Sequence, residues 1–439
     1  MAARRRWGWW AVPLVLLALV VVAPWLVPTS AWIAPAEEAA SKALGAPVKI
    51  AGIRLALLPL PHATASGIDV GGGALKVASA AVTPDLGSLF SAPRHLRVVR
   101  VDTVFVDQKG IDILQAFAAK PPAVPPPVTI GRVEIAPLEV ALPGAKLPPL
   151  AVEVQMGAAN APQRAVVKTQ DGKATLTALA KGKVWKVDLA AANWTPPAGP
   201  PLKFDELKAN GRVEGDKLIL PAISARLYGG QVTGKAEAAW AKGMRLGGDA
   251  KVSGVEIAPV LAALKQKATL SGQLEASGPF SAQAAKPAGL VDAISADFAF
   301  NVKNGTLQGF DLANAARNLV KGGSKGGQTR FDQLSGNVKL AGRAVRLSNL
   351  RVTSGALDAK GNVDVAASRQ LSGRIDVDLK GTAGLVGVPL AVSGTVSDPL
   401  LLPTKGALAG AAVGTVLLPG VGTAAGSSIG DKIGKFFGK

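Results

Sequence analysis

From Val48 onward, apolar and polar residues alternate with a period of two, and Gly, Pro, Asn or Ser interrupts the alternation at short intervals. The clearest stretch lies between Gly336 and Gly381. There Val338/Leu340, Val345/Leu347, Leu350/Val352, Val363/Val365 and Ile375/Val377/Leu379 alternate with Lys339, Arg346, Arg351, Asp364, Asp376 and Asp378. Successive side chains on a strand point to opposite faces, so each run offers one apolar and one charged face. Gly342, Ser348-Asn349, Gly355 and Gly361 mark the turns. The pattern predicts an antiparallel meander rather than alternating strands and helices.

A short phrase recurs as Leu270-Ser-Gly-Gln-Leu274, Leu334-Ser-Gly-Asn-Val338, Leu371-Ser-Gly-Arg-Ile375 and Val392-Ser-Gly-Thr-Val396. Its spacing is irregular, so it is read as a strand-entry signal rather than a fixed-period solenoid repeat. Helical patterns interrupt the strands at Ala34–Leu44, Leu86–Phe90, Ile111–Ala119, Ile257–Lys267 and Phe310–Val320. The first has Pro35 at its start, Glu37 and Glu38 in its first turn and Gly45 just past its end. Proline-rich breaks at 120–127, 143–149 and 195–201 mark either subdomain boundaries or the ends of edge strands. The region between 47 and 400 has room for roughly 20–24 strands of ordinary length.

The two termini differ from this pattern. Arg4, Arg5 and Arg6 precede a charge-free run from Trp7 to Val27. As a helix that run would span about 31 Å, the thickness of a hydrocarbon core. Trp7, Trp9 and Trp10 flank one end and Trp25 the other, with Trp32 just beyond. Indole rings prefer membrane interfaces, and the arginine cluster is expected to stay cytoplasmic. The segment is read as a retained membrane anchor that sends the rest of the chain outward; a cleaved signal peptide is the alternative. At the other end Gly406, Gly410 and Gly414 stand four apart in an apolar stretch, followed by a basic end with Lys432, Lys435 and Lys439 around Phe436-Phe437. Small residues at that spacing permit close helix–helix or helix–lipid approach. The tail is read either as a membrane-associated pair or as helices capping the sheet.

Composition narrows the chemistry. The 439 residues include no Cys and two His, His62 and His95, which leaves no thiol nucleophile, disulfide or cysteine metal site and makes a histidine triad improbable. Carboxylates are too scattered for a glycosidase pair, and no P-loop lysine follows Gly71-Gly72-Gly73. No catalytic residue, metal site or cofactor is therefore expected. Lys and Arg number 49 against 30 Asp and Glu, a net charge of +19. This excess suits an anionic membrane surface or a solvated basic exterior. Nucleic acid is not expected as a partner, because aromatics are 5% of the chain and no recognition motif is present.

Taken in order along the chain, several segments resemble the AsmA-like proteins of Gram-negative envelopes. They are the anchor and short helix, Leu44-Gly-Ala-Pro-Val-Lys-Ile50, Leu55–Leu60, Gly67-Ile-Asp-Val70, Asp85-Leu-Gly-Ser-Leu89 and Leu96–Val106. In the second half they are Asn304-Gly-Thr-Leu307, Phe310-Asp-Leu312, Thr329–Gly336 and Ser393–Pro399. The resemblance implies a mainly β protein, with an N-terminal transmembrane helix followed by a long curled antiparallel sheet, an open groove and a few short helices. The chain then divides into the anchor (1–30), an N-terminal β region (31–120), a proline-bounded middle (121–200), a C-terminal groove region (201–400) and the tail (401–439). It further implies a single-pass protein of the cell inner membrane with its bulk in the periplasm. Its partners would be membrane phospholipids and outer-membrane or periplasmic proteins, in lipid transport or, alternatively, outer-membrane protein assembly.

An open sheet must cover its apolar face or fill it. Periodicity alone favours packing against a second sheet as a sandwich. The resemblance favours a groove, with Val338, Leu340, Val345, Leu347, Val363, Val365, Ile375, Val377 and Leu379 as candidate lining residues.

Overall fold

A computed structural model describes residues 30–408, apart from 58–59, 89–92, 119–127, 143–144, 198, 268, 287–288, 318–323 and 382–386. The predicted anchor, with Arg4, Arg5, Arg6, Trp7, Trp9, Trp10 and Trp25, and the glycine-rich tail beyond 408 lie outside these residues. No helix among the described residues is long and apolar enough to cross a membrane. The chain forms two compact units, 1–190 and 191–439.

The first unit opens with α1 (Ser30–Leu44), which starts four residues before the predicted Ala34. Gly45 ends it in the left-handed region at φ 71°, its N–H donating to the Ser41 carbonyl at 2.8 Å. Strands β1 (Val48–Ala56), β2 (His62–Val70), β3 (Leu75–Pro84) and β4 (Arg94–Asp107) pair antiparallel in sequence order. Val48, Val70, Leu75, Val104 and Val106 form a core at one end of this sheet, under α1 and the helix that follows β4.

The antiparallel rule fails at one step. Asp107 ends β4 and accepts a hydrogen bond from the Gly110 N–H at 2.8 Å, capping α2 (Gln108–Ala118). Because the strand turns directly into a helix, the chain runs back along the sheet before its next strand. β5 (Val128–Leu142) therefore pairs parallel to β4, from Arg94 opposite Val128 to Asp107 opposite Ala141. Gly110 is required at this crossover, since a Cβ there would lie 2.3 Å from the Ala74 carbonyl oxygen. The short β6 (Ala145–Lys146) and then β7 (Leu150–Met156), β8 (Pro162–Thr169) and β9 (Ala174–Lys181) restore antiparallel pairing. β10 (Val184–Trp194) carries the division between the units.

The second unit is an antiparallel meander. Its strands are β11 (Phe204–Glu214), β12 (Lys217–Leu227), β13 (Gly230–Ala239), β14 (Met244–Glu256), β15 (Leu270–Ala284) and β16 (Ser295–Gln308). After the two-residue β17 (Ser324–Lys325) come β18 (Gln328–Ala341), β19 (Ala344–Thr353), β20 (Leu357–Val365), β21 (Leu371–Leu379), β22 (Val388–Thr395) and β23 (Asp398–Pro403). Each strand from β11 to β16 pairs with the next, β16 pairs with β18, and pairing then runs in order to β23. β17 pairs with β23, which brings the last strand back to the segment following β16. Two helices interrupt the meander: α3 (Ile257–Ala263), shorter than the predicted 257–267, and α4 (Leu312–Arg317).

The Ser-Gly phrase opens β15 at Leu270 and β21 at Leu371, as expected, but lies inside β18 at Leu334 and β22 at Val392. At Ser271-Gly272 and Ser335-Gly336 the register of pairing shifts. Glycine is required at 272, because the Lys303 carbonyl oxygen lies 2.7 Å from where a Cβ would sit and φ is 123°.

Candidate functional site

The second unit places its apolar side chains in rows that cross the strands. One row runs Val255, Leu274, Val302, Leu334, Val352, Ala359, Val377 and Val388, each opposite the next in the ladder. A second row runs Phe298, Val338, Leu347, Val363, Gly373 and Val392. Both rows survive the change of parity on β19 because of a bulge. Asn349 adopts φ 53°, so that Leu350 and Leu347 face the same way although they stand an odd three positions apart.

The opposite face is charged. Lys339 pairs with Asp297 at 3.6 Å, Arg346 with Asp364 at 2.8 Å and Lys303 with Glu275 at 2.8 Å. The Lys303 ammonium holds the Glu275 carboxyl below the usual range. These exposed pairs contribute little to stability and keep the outer face wet.

Where the rows meet α4 they are packed solid. Leu312, Ala315 and Ala316 are buried among Leu357, Val377, Val388, Leu390 and Leu401. Asp311 caps the helix, accepting from the Asn314 N–H at 2.9 Å. The buried Thr329 hydroxyl accepts from the Leu312 N–H at 3.0 Å and donates to the Phe310 carbonyl at 2.7 Å. The helix is thus fixed as a plug on the apolar face.

Beside the plug the same face stays unfilled. A cavity of about 570 Å³ is lined from Val252 on β14 to Ile375 on β21, with Phe298, Phe300, Leu307, Phe310 and Leu347 among its walls. Thr269 and Lys360 are the polar lining residues. This volume falls within the roughly 300–1,000 Å³ of small-molecule sites. A lining of this kind offers burial and almost no hydrogen bonding, so it suits a long aliphatic occupant. Gln266, which follows α3, accepts a hydrogen bond from Arg369 in the β20–β21 turn, tying these two segments together.

The nine residues named from the sequence separate into three groups. Val338, Leu347, Val363, Val365 and Ile375 line the cavity. Val377 and Leu379 are buried in the packed core under α4. Leu340 and Val345 face each other across β18 and β19, half-buried and outside the lining. The lining residues on β14–β16, α4 and the segment before it were not named from the sequence. Phe298 and Phe300, alternating with Asp297, Ala299 and Asn301, carried a readable period of two. Ile257 and Leu312 did not, because they reach the face from helices.

The two histidines make local contacts within the first unit. His62 Nδ1 lies 2.8 Å from the Leu60 carbonyl oxygen, and His95 Nδ1 lies 2.9 Å from the Thr129 hydroxyl. Among the described residues no group of three or more His, Asp or Glu is placed to hold a metal ion.

The model of the AsmA family matches residues 151–349, from within β7 to within β19. Over this segment the chain is similar to the AsmA family. No curated protein and no solved structure matches it. The AsmA match takes in the cavity wall from Val252 to Leu347, while Leu350 and Val352 on β19, β20, β21 and Val396 complete that wall beyond the match. This similarity and the mainly β, open antiparallel architecture with a few short helices accord with a lipid-transport type of role.

Proposed function

We propose that this protein is anchored in the cell inner membrane, stands in the periplasm and takes up acyl-bearing lipid, phospholipid foremost, on the apolar face of its second unit. The role is non-catalytic and serves outer-membrane lipid homeostasis. The observation that carries the reading is the unfilled cavity between β14 and β21, walled by aliphatic and phenyl groups beside the part of the face that α4 packs solid. Each methylene moved from water to such a wall gains about 0.8 kcal/mol, so a chain of about 16 carbons gains on the order of 10 kcal/mol. A face dominated by Val, Leu, Ile, Ala and Phe conforms to a flexible chain without demanding a fixed shape.

The alternative is a factor that captures unfolded outer-membrane proteins on exposed strand edges. Two edges count against it. The outer side of β1 donates the Val48 and Ile50 N–H groups to Ser41 Oγ at 2.9 Å and Glu37 Oε1 at 2.8 Å. On the outer side of β23, Leu400 and Leu401 are paired by β17.

A phospholipid bearing a photoactivatable group on its acyl chain tests the reading with the full chain. Labelled peptides are expected from β16, β18 and β19, and unlabelled phospholipid should compete. Labelling confined to other segments, or none above a soluble control protein, overturns it.

A further inference from the structure

The first unit has an end that the groove reading does not use. The β1–β2 turn presents Leu57 and Leu60, 39% and 46% exposed, and the turn after β3 presents Leu86, 50% exposed. The register puts both turns at one end of the sheet. Ala56 pairs with His62, Ala63 with Val82, and Pro84 with Leu96. The same end carries Arg54, Arg94 and Arg97, all exposed. Its carboxylate Asp85 lies 4.0 Å from Arg97 and leaves the sign of the patch positive.

The chain also enters from this side. Ser41 bonds to Val48 and Glu37 to Ile50, so α1 runs antiparallel to β1, and its first residues lie toward the Ala56 end. Residues 1–29, with their arginine cluster and long apolar run, lead into that end of α1. Trp32, 48% exposed, stands on its first turn. Exposed leucines, arginines and an indole are the residues that interfacial segments use on anionic bilayers.

We propose that the end of the first unit bearing Leu57, Leu60 and Leu86 beside Arg54, Arg94 and Arg97 seats itself in the interfacial layer of an anionic bilayer. The leucines enter the acyl boundary and the arginines meet lipid phosphates. The inference rests on the anchored placement proposed above, and it adds a second, specific membrane contact that orients the sheet on the surface.

The absence of cysteine makes the test direct. The full chain carrying Leu57→Cys or Leu86→Cys is labelled with an environment-sensitive fluorophore. It is then reconstituted in vesicles of phosphatidylcholine with phosphatidylglycerol. Val291→Cys, at a residue 60% exposed in the second unit, is the reference.

The labels at 57 and 86 should shift to the blue and be quenched by spin-labelled acyl chains at a depth of ~5–10 Å. Arg94→Glu should lower the ratio of docked to undocked protein by about fivefold, as should each arginine so replaced. Emission and quenching equal to those of Val291→Cys overturn the proposal. So does a blue shift without lipid quenching, which would mean that a protein or a second copy covers the leucines. Carbonate extraction separates the two readings, since a retained anchor with unquenched labels removes the docking surface alone.

Discussion

Leu312 donates its backbone N–H to the Thr329 hydroxyl at 3.0 Å, and both residues are buried. This bond joins the first residue of α4 to the strand beneath it and lets a six-residue helix close part of an apolar face. Thr329→Val keeps the shape and removes the acceptor, leaving a buried N–H unsatisfied. The expected loss is about 1–3 kcal/mol of unfolding free energy, read from denaturant titration. A change within error would show that the plug is held by packing alone.

Leu347 and Val377 separate binding from folding. Leu347 lines the cavity and is half-buried, whereas Val377 has no exposed surface. Leu347→Asp is expected to preserve the circular dichroism spectrum and cut acyl-lipid crosslinking at least several-fold. Val377→Ala removes packed methyl groups from the core and should cost about 1–3 kcal/mol with crosslinking retained. Equal effects on lipid capture from both substitutions would dissolve the distinction between cavity and core.

Glu37 protects an edge. Its carboxylate takes the Ile50 N–H, lies 3.8 Å from Lys49, and belongs to a helix whose Ser41 hydroxyl takes the next free N–H of β1. Glu37→Ala should speed exchange of the Ile50 amide by at least tenfold in hydrogen exchange, corresponding to about 1.5 kcal/mol of a charge-assisted bond. It should also raise the tendency to associate through β1. Unchanged protection would assign the edge to some other contact.

Asp171 is the most perturbed acid described. The Thr169 hydroxyl, at 2.6 Å, is the main cause, with the Lys173 N–H and its ammonium adding to it, and together they lower the carboxyl from 3.8 to about 2. A depressed folded-state value stabilises the fold above the unfolded-state value. That contribution is lost as pH falls from about 4 toward 2. Thr169→Val should return the Asp171 titration, followed by carboxyl NMR, toward the ordinary range. A titration that stays near 2 would shift the cause to Lys173.

The alternation of Val338 to Leu379 with charged partners determined strand class, antiparallel neighbours and the charged outer face, because a period of two is a local property of the backbone. The resemblance to the AsmA family came instead from the order of short segments along the chain, and the match over 151–349 supports it. The sequence could not show that Asp107 would cap a helix and turn β5 parallel, since capping depends on where the strand stops. Nor could it separate Val365 from Val377, two apolar strand residues of the same type. One lines space and the other is buried because α4, arriving from a distant part of the chain, covers one end of the rows and leaves the other open. Local pattern fixes which way a side chain points; what lies opposite it depends on contacts between residues far apart in sequence, and those exist only once the sheet has folded.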